Sequence, residues 1–177
     1  SNSAGKAIQG VEFIIVDDNG IPVSNGERGV IHVNTPSCYS GYVTGVEKHK
    51  SLYRNWLNTG DIGYLDEFSE LHIIDRSDDI LQINSYKLYP SDIEQVILSS
   101  TDILDCIVVD CIVGSNHFLG CAYVGDCNLD EKISKVMGNI IMRHEIPKII
   151  VRMQDLPKNN NRKVVRSEIS TILQKYI

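Results

Sequence analysis

Three side chains in this sequence have the type and setting to act on a polyhydroxylated or anionic small molecule. Asp61 follows Thr59-Gly60. A carboxylate beside a glycine accepts two hydrogen bonds from a ribose-like diol, and the glycine lets the backbone approach closely. Arg76 brings a permanently charged planar fork suited to ribose or phosphate oxygens. Lys163 stands among Lys158, Arg162 and Arg166, and a mobile ammonium there could neutralise charge that develops in a transition state. Each has a plainer reading. Asp61 also fits a strand-entry aspartate in an exposed turn, and the basic cluster also fits a solvated loop.

The totals exclude several classes. The chain has 177 residues, 42% of them hydrophobic, enough for one sizeable core or two small ones. Seventeen basic against 23 acidic side chains give a net charge of -6. No broad cationic field is offered to a nucleic acid or an anionic membrane. No apolar run approaches the roughly 20 residues that span a bilayer. The five cysteines (38, 106, 111, 121 and 127) lack C-x-x-C pairs, which disfavours a disulfide scaffold or a zinc site. Cys106, Cys111 and Cys121 read as small buried residues in a reducing, cytoplasmic compartment. The histidines at 32, 49, 72, 117 and 144 show no ligand spacing, so no metal site is expected. The opening Ser1-Asn2-Ser3 reads as the scar of a cleaved tag on a piece of something longer.

The elements that must position these residues follow from periodicity and punctuation. Residues 10–17 and 29–33 are rich in β-branched side chains and predict strands on either side of an Asp18-Asn19-Gly20 turn. Residues 61–65 and 71–74 predict a hairpin across the polar turn 66–70. Up to about residue 76 the chain is β-rich without a helix. Short strands are then expected at 80–83 and 86–88 around Asn84-Ser85. Pro90 opens a helix with Ile93, Val96 and Ile97 on one face, and Asp92 and Glu94 near its positive end. Strands follow at 103–111 and 118–124. Asn128 with Glu131 suggests a cap for a helix carrying Leu129, Ile133, Val136, Met137, Ile140 and Ile141. A strand at 149–153 and a last helix with Ile169, Ile172 and Leu173 complete an α+β second part.

Three stretches, in this order, resemble one superfamily: Trp56-Leu57-Asn58-Thr59-Gly60-Asp61-Ile62-Gly63-Tyr64; Asp75 to Asp79 continuing through Tyr86-Lys87-Leu88-Tyr89-Pro90-Ser91-Asp92-Ile93-Glu94; and Leu156 to Arg166. They are similar to the C-terminal portion of the adenylate-forming (AMP-binding) enzymes, acyl-CoA synthetase or ligase type. Ile21-Pro22, Gly26 to Gly29 and Gly41-Tyr42 add to the likeness, which covers nearly the whole chain.

The resemblance implies a fold of a small β-rich subdomain followed by an α+β domain, with a short β-hairpin and a small mixed sheet packed by about three helices. Residues 4–76 would end the large adenylation domain, 77–79 would be the hinge, and 80–177 the small mobile domain. Asp61, Arg76, Thr59 and Gly60 would face the nucleotide. Asp78 would be the hinge residue, Ser85, Tyr86 and Lys87 the acceptor-side segment, and Lys163 the catalytic residue. The implied activity is ATP-dependent activation of a carboxylate as acyl-adenylate, then thioester formation. ATP or AMP with Mg2+ would serve the full-length enzyme, and coenzyme A or phosphopantetheine would be the acceptor. Nothing is expected to bind the fragment tightly, and the fragment alone would be inactive. Implied partners are the upstream adenylation domain of the same chain, a small-molecule carboxylate and an acyl-carrier protein. Asp75, Ser85 and Arg162 stand where the family has glycine. They frame the alternative of a degenerate, non-catalytic nucleotide- or partner-binding module with the same fold.

Overall fold

Alternating and continuous apolar runs sort into two kinds of sheet in the computed structural model. It describes residues 3–37, 53–54, 56–83, 85–125, 129–140, 142 and 145–176. Cys38, Gly41-Tyr42, His49, Asn84, Cys127, Asn128, Ile141 and His144 lie outside the described residues. The chain divides into two compact units, Ser1–Asp79 and Ile80–Ile177.

The first unit is an antiparallel five-stranded sheet. It is built from β1 (Ser3–Gly5), β2 (Glu12–Val16), β3 (Gly29–Asn34), β4 (Leu57–Leu65) and β5 (Leu71–Arg76), in the order β1-β5-β4-β3-β2. The turn after β2 is set by Asp17, whose Oδ1 accepts the N–H groups of Asn19 and Ile21 at 2.9 and 2.8 Å. Those bonds, the one from Ile21 foremost, hold its carboxyl below the usual range. Ile15, Ile31 and Leu71 form the core, with Phe13, Val23, Val33 and Leu65 packed against them. Ser3, read from sequence as part of a tag scar, pairs with His72 on the edge of this sheet.

The second unit begins with the hairpin β6 (Leu81–Ile83) and β7 (Tyr86–Leu88), then α1 (Pro90–Ser100), β8 (Asp105–Val113), β9 (Asn116–Val124), α2 (Asp130–Ile140), β10 (Ile149–Met153) and α3 (Arg166–Leu173). Its sheet is mixed, ordered β10-β9-β8, with β8 and β9 antiparallel and β9 and β10 parallel. Both faces are covered, which is why β8 reads as a near-continuous apolar run. On one face Cys106, Val108, Cys121 and Tyr123 meet Ile93 and Ile97 of α1 and Ile133 and Met137 of α2. On the other, Ile107, Val109, Cys111 and Ala122 meet Leu156 and the Ile169 and Leu173 stripe of α3.

Helix starts have local causes. Pro90 occupies the first turn of α1, where its missing N–H costs nothing. At α2 a strand residue supplies the cap. The buried Tyr123 hydroxyl accepts the Leu129 N–H at 2.7 Å and donates to Asp130 Oδ1 at 2.8 Å. No helix among the described residues is long and apolar enough to cross a membrane.

Candidate functional site

The turn after β4 fixes what faces what. Asp66 Oδ1 accepts the N–H groups of Phe68 and Glu70 at 2.9 and 2.8 Å, and Oδ2 meets His72 Nε2 at 3.0 Å. The Glu70 N–H is the largest cause that holds the Asp66 carboxyl below the usual range. Leu65 therefore pairs with Leu71, and the hairpin runs back until Asp61 faces Arg76. Tyr64 and His72, also a cross-strand pair, stack at 4.7 Å with planes 5° apart.

Asp61 was expected at a turn or strand entry. It lies inside β4, on a bulge. Val30 of β3 pairs with Ile62 and His32 pairs with Asn58, so Ile31 alone faces Thr59, Gly60 and Asp61. Gly60 takes φ +75, the left-handed region that glycine enters without steric cost. Side chains replace the ladder bonds that the bulge breaks. Asn58 Oδ1 accepts the Gly60 N–H at 2.9 Å, Thr59 Oγ1 accepts the Asp61 N–H at 3.1 Å, and the Thr59 hydroxyl donates to Ile31 O at 3.0 Å. Ser77 Oγ donates to Gly60 O at 2.9 Å and ties the following turn to the bulge. His32, fully buried beside it on β3, has its pKa lowered by burial.

On this frame Arg76 Nη1 donates to Asp61 Oδ1 at 2.8 Å and reaches Thr59 O at 3.5 Å. The Arg76 side chain is 51% exposed and that of Asp61 26%, so solvent screens the pair and it adds little stability. Asp75 lies opposite Ile62, one step along β5, so the pleat turns it away from the Asp61–Arg76 face. Thr59, Gly60, Asp61 and Arg76 are thus brought together. Asp78 sits in a 3-10 turn, Ser77–Asp79, at the end of the first unit.

The remaining candidates belong to the second unit. Ile83 pairs with Tyr86 across the β6–β7 turn, and buried Ile83 and Leu88 anchor the hairpin. Ser85, Tyr86 and Lys87 are exposed along it, and Ser85 holds φ +68. Lys163 lies near the tip of a tight loop closed by a Lys158–Val164 bridge and by the Val165 N–H to Pro157 O bond. Asn159 organises the tip: its Oδ1 accepts the N–H groups of Asn161 and Lys163, both at 3.0 Å. Arg162 at φ +61 completes the turn. The glycine positions of the family pattern at 85 and 162 are therefore filled by residues that keep left-handed backbone.

The four-cation cluster read from sequence separates by role. Lys158 pairs with Asp155 at 3.3 Å and Arg166 with Glu94 at 2.7 Å. Arg162 and Lys163 are exposed and make no ion pair among the described residues. Glu94 itself was read from sequence only as a favourable charge at a helix start. Its link to Arg166, 72 positions away, left no local signal.

A carboxylate on the β4 bulge thus faces a guanidinium on β5, and the ordered motifs follow on this fold. The chain matches the C-terminal portion of the AMP-binding, acyl-CoA-ligase superfamily. A 2-succinylbenzoate–CoA ligase of Bacillus mycoides is 30% identical over 176 residues, which cover 97% of this chain and 36% of the relative. A long-chain-fatty-acid–CoA ligase of Escherichia coli is 29% identical across 96% of this chain and 31% of its own length. The ATP-bound crystal structure of MatB from Rhodopseudomonas palustris superposes on 99% of this chain with a TM-score of 0.84 at 25% identity, using 36% of that protein. The chain thus spans about a third of the relatives it matches. No family model matches it.

Proposed function

We propose that the chain is the C-terminal portion of a longer ATP-dependent carboxylate-activating enzyme. That enzyme would form an acyl-adenylate with release of pyrophosphate, then a thioester of coenzyme A or of carrier-protein pantetheine. The observation that carries this reading is the Asp61–Arg76 pair, with Asp61 on a bulge where side chains accept the Gly60 and Asp61 N–H groups and Arg76 opposite it on β5. Residues 4–76 would complete the nucleotide edge of an upstream adenylation domain, with Asp78 in the hinge 77–79 and 80–177 as the moving domain.

In this reading the ribose hydroxyls donate to the Asp61 carboxylate and displace Arg76 from Oδ1. The freed guanidinium turns to ribose or phosphate oxygens, a move its exposure allows. Thr59 and Gly60 hold the backbone that aims Asp61. Lys163 acts as the substrate carboxylate bonds to the α-phosphorus and the bond to pyrophosphate breaks. Its ammonium offsets negative charge gathering on the oxygens. Ser85, Tyr86 and Lys87 would face the thiol acceptor in the second half-reaction. Magnesium, when bound with ATP, screens the phosphates. Among the described residues no group of three or more His, Cys, Asp or Glu could hold a metal ion. A cytoplasmic location is part of the proposal, supported by the unpaired buried thiols of Cys106, Cys111 and Cys121.

ATP–pyrophosphate exchange tests it. The isolated chain should show none, and the chain joined to its adenylation domain should show it. Lys163→Ala in the joined protein should lower exchange by about 100-fold or more, the scale of losing one electrostatic stabiliser. Exchange by the isolated chain, or full exchange in the Lys163→Ala protein, would overturn the assignment. The latter would favour the degenerate binding module.

A further inference from the structure

The outer edge of β8 is closed by side chains, and they connect to the base of the Lys163 loop. Val108 pairs with Cys121 of β9 on one side. Its own N–H and C=O point the other way, where a further strand would bond. Glu94 Oε1 of α1 accepts the Val108 N–H at 2.8 Å, and Arg166 Nη1 donates to Val108 O at 2.7 Å. The same guanidinium donates to Glu94 Oε1 at 2.7 Å through Nη1 and reaches Oε2 at 3.5 Å through Nη2. The carboxylate and guanidinium together therefore take the place of a neighbouring peptide group. Both are largely buried, Glu94 at 13% and Arg166 at 24% exposure. Ser170 continues the pattern one turn along α3, donating to Asp110 O at 2.6 Å.

Arg166 is the first residue of α3, and Lys163 lies three positions before it. Between them the loop is closed onto Pro157 by the Val165 N–H. The Lys163 tip is therefore a short rigid hairpin whose root is bolted to β8 and α1 through one guanidinium. We propose that Glu94 and Arg166 are positioning residues for Lys163, fixing through the Val108 clamp where the loop presents its ammonium. This rests on the assignment of Lys163 made above.

The test separates positioning from general stability. In the full-length enzyme Arg166→Lys keeps the charge but loses the fork that serves two acceptors at once. Glu94→Gln keeps an acceptor for Val108 but loses the charge. Each should lower the adenylation rate about 10- to 100-fold, the cost of a misplacement on the order of 1 Å. Thioester formation from pre-formed acyl-adenylate should stay within about twofold. Lys132→Ala, which removes the exposed Asp102 ion pair of the same unit, should leave both half-reactions unchanged. Hydrogen exchange of the 177-residue chain gives a second readout: the Arg162 and Lys163 amides, bonded to Asn159, should exchange faster in both variants. Equal loss of both half-reactions with unchanged exchange in the loop overturns the proposal. So does unchanged adenylation in a protein where Lys163→Ala abolishes it. If Lys163→Ala has no effect, the functional assignment fails instead, and loop exchange alone decides whether the clamp positions the loop.

Discussion

Gly63→Ala should loosen the strand that carries Asp61, and the size of the effect follows from the packing. Gly63 stands two residues beyond Asp61 on β4. A Cβ there would lie 2.2 Å from the His72 carbonyl oxygen and 2.8 Å from Ile31 Cδ1. Such contacts essentially never fall below 3.0 Å, so the His72 backbone must retreat by about 0.8 Å (3.0 minus 2.2). That oxygen belongs to β5, the strand that places Arg76 opposite Asp61. Overpacking of this kind costs about 1–3 kcal/mol, and an obstacle made of backbone belongs at the upper end. Alanine returns about 0.5–1 kcal/mol through the unfolded chain, leaving a net loss of about 2 kcal/mol. Gly138 in α2 is the opposite case. Nothing lies within 4 Å of a Cβ there, so Gly138→Ala should stabilise by about 0.5–1 kcal/mol. The chain supplies separate reporters. Its one tryptophan, Trp56, lies in the first unit, edge-on to Tyr53 at 5.6 Å. All α-helices of the described residues lie in the second. With a urea slope of about 1 kcal/mol/M, Gly63→Ala should lower the fluorescence midpoint by about 2 M. Gly138→Ala should raise the far-ultraviolet circular dichroism midpoint by about 0.5–1 M. An unchanged fluorescence midpoint in Gly63→Ala would refute the claim that β5 is rigid against β4.

Ser85→Gly should stabilise the second unit by about 0.5–1 kcal/mol. Left-handed backbone costs an L-residue about 1–2 kcal/mol, and the added chain entropy of glycine takes back about half; a lowered dichroism midpoint would contradict this. His32 should make the first unit sensitive to acid. Its folded pKa lies below the ordinary 6.5 because of burial, so between the two values the unfolded chain binds more protons. The His32 contribution is complete above about pH 6.5 and falls as pH drops toward the folded pKa, by up to about 1.4 kcal/mol per pH unit. Fluorescence midpoints in urea between about pH 7.5 and 5.5 should record the fall, and a flat profile would mean that protonated His32 is accommodated.

Elements governed by local rules were legible in the sequence. The β4–β5 hairpin, the Pro90 helix start and the strand at 149–153 all depend on punctuation or periodicity within a few residues. The hairpin β8–β9 was read too short at the turn, because Ile112 and Val113 continue an apolar run past the expected strand end. Three features escaped for a common reason. Ser3–Gly5 joins the sheet through partners nearly 70 positions away, and a short polar segment carries no sign of that pairing. The Thr59–Asp61 bulge breaks the period of two by which strands are recognised, so Thr-Gly-Asp reads as a turn. The Glu94–Arg166 clamp joins residues that each have an ordinary local role, helix-start acid and loop base.

The bulge and the Lys163 loop share one device. In each, the backbone leaves regular structure, and an asparagine just before the departure accepts the N–H groups left without partners: Asn58 for Gly60, Asn159 for Asn161 and Lys163. An unsatisfied buried or half-buried N–H would drive the segment toward other conformations. A satisfied one lets an irregular backbone persist without a ligand to brace it. This explains how Arg162 can stand at a glycine position without unmaking its turn. The cost of positive φ is on the order of 1–2 kcal/mol. At Arg162 the Asn159 contacts, which include the Arg162 N–H to Asn159 O bond at 2.8 Å, oppose it with several hydrogen bonds of about 1 kcal/mol each. At Arg162 the departure from the glycine pattern is thus a tolerated substitution within a hydrogen-bonded loop.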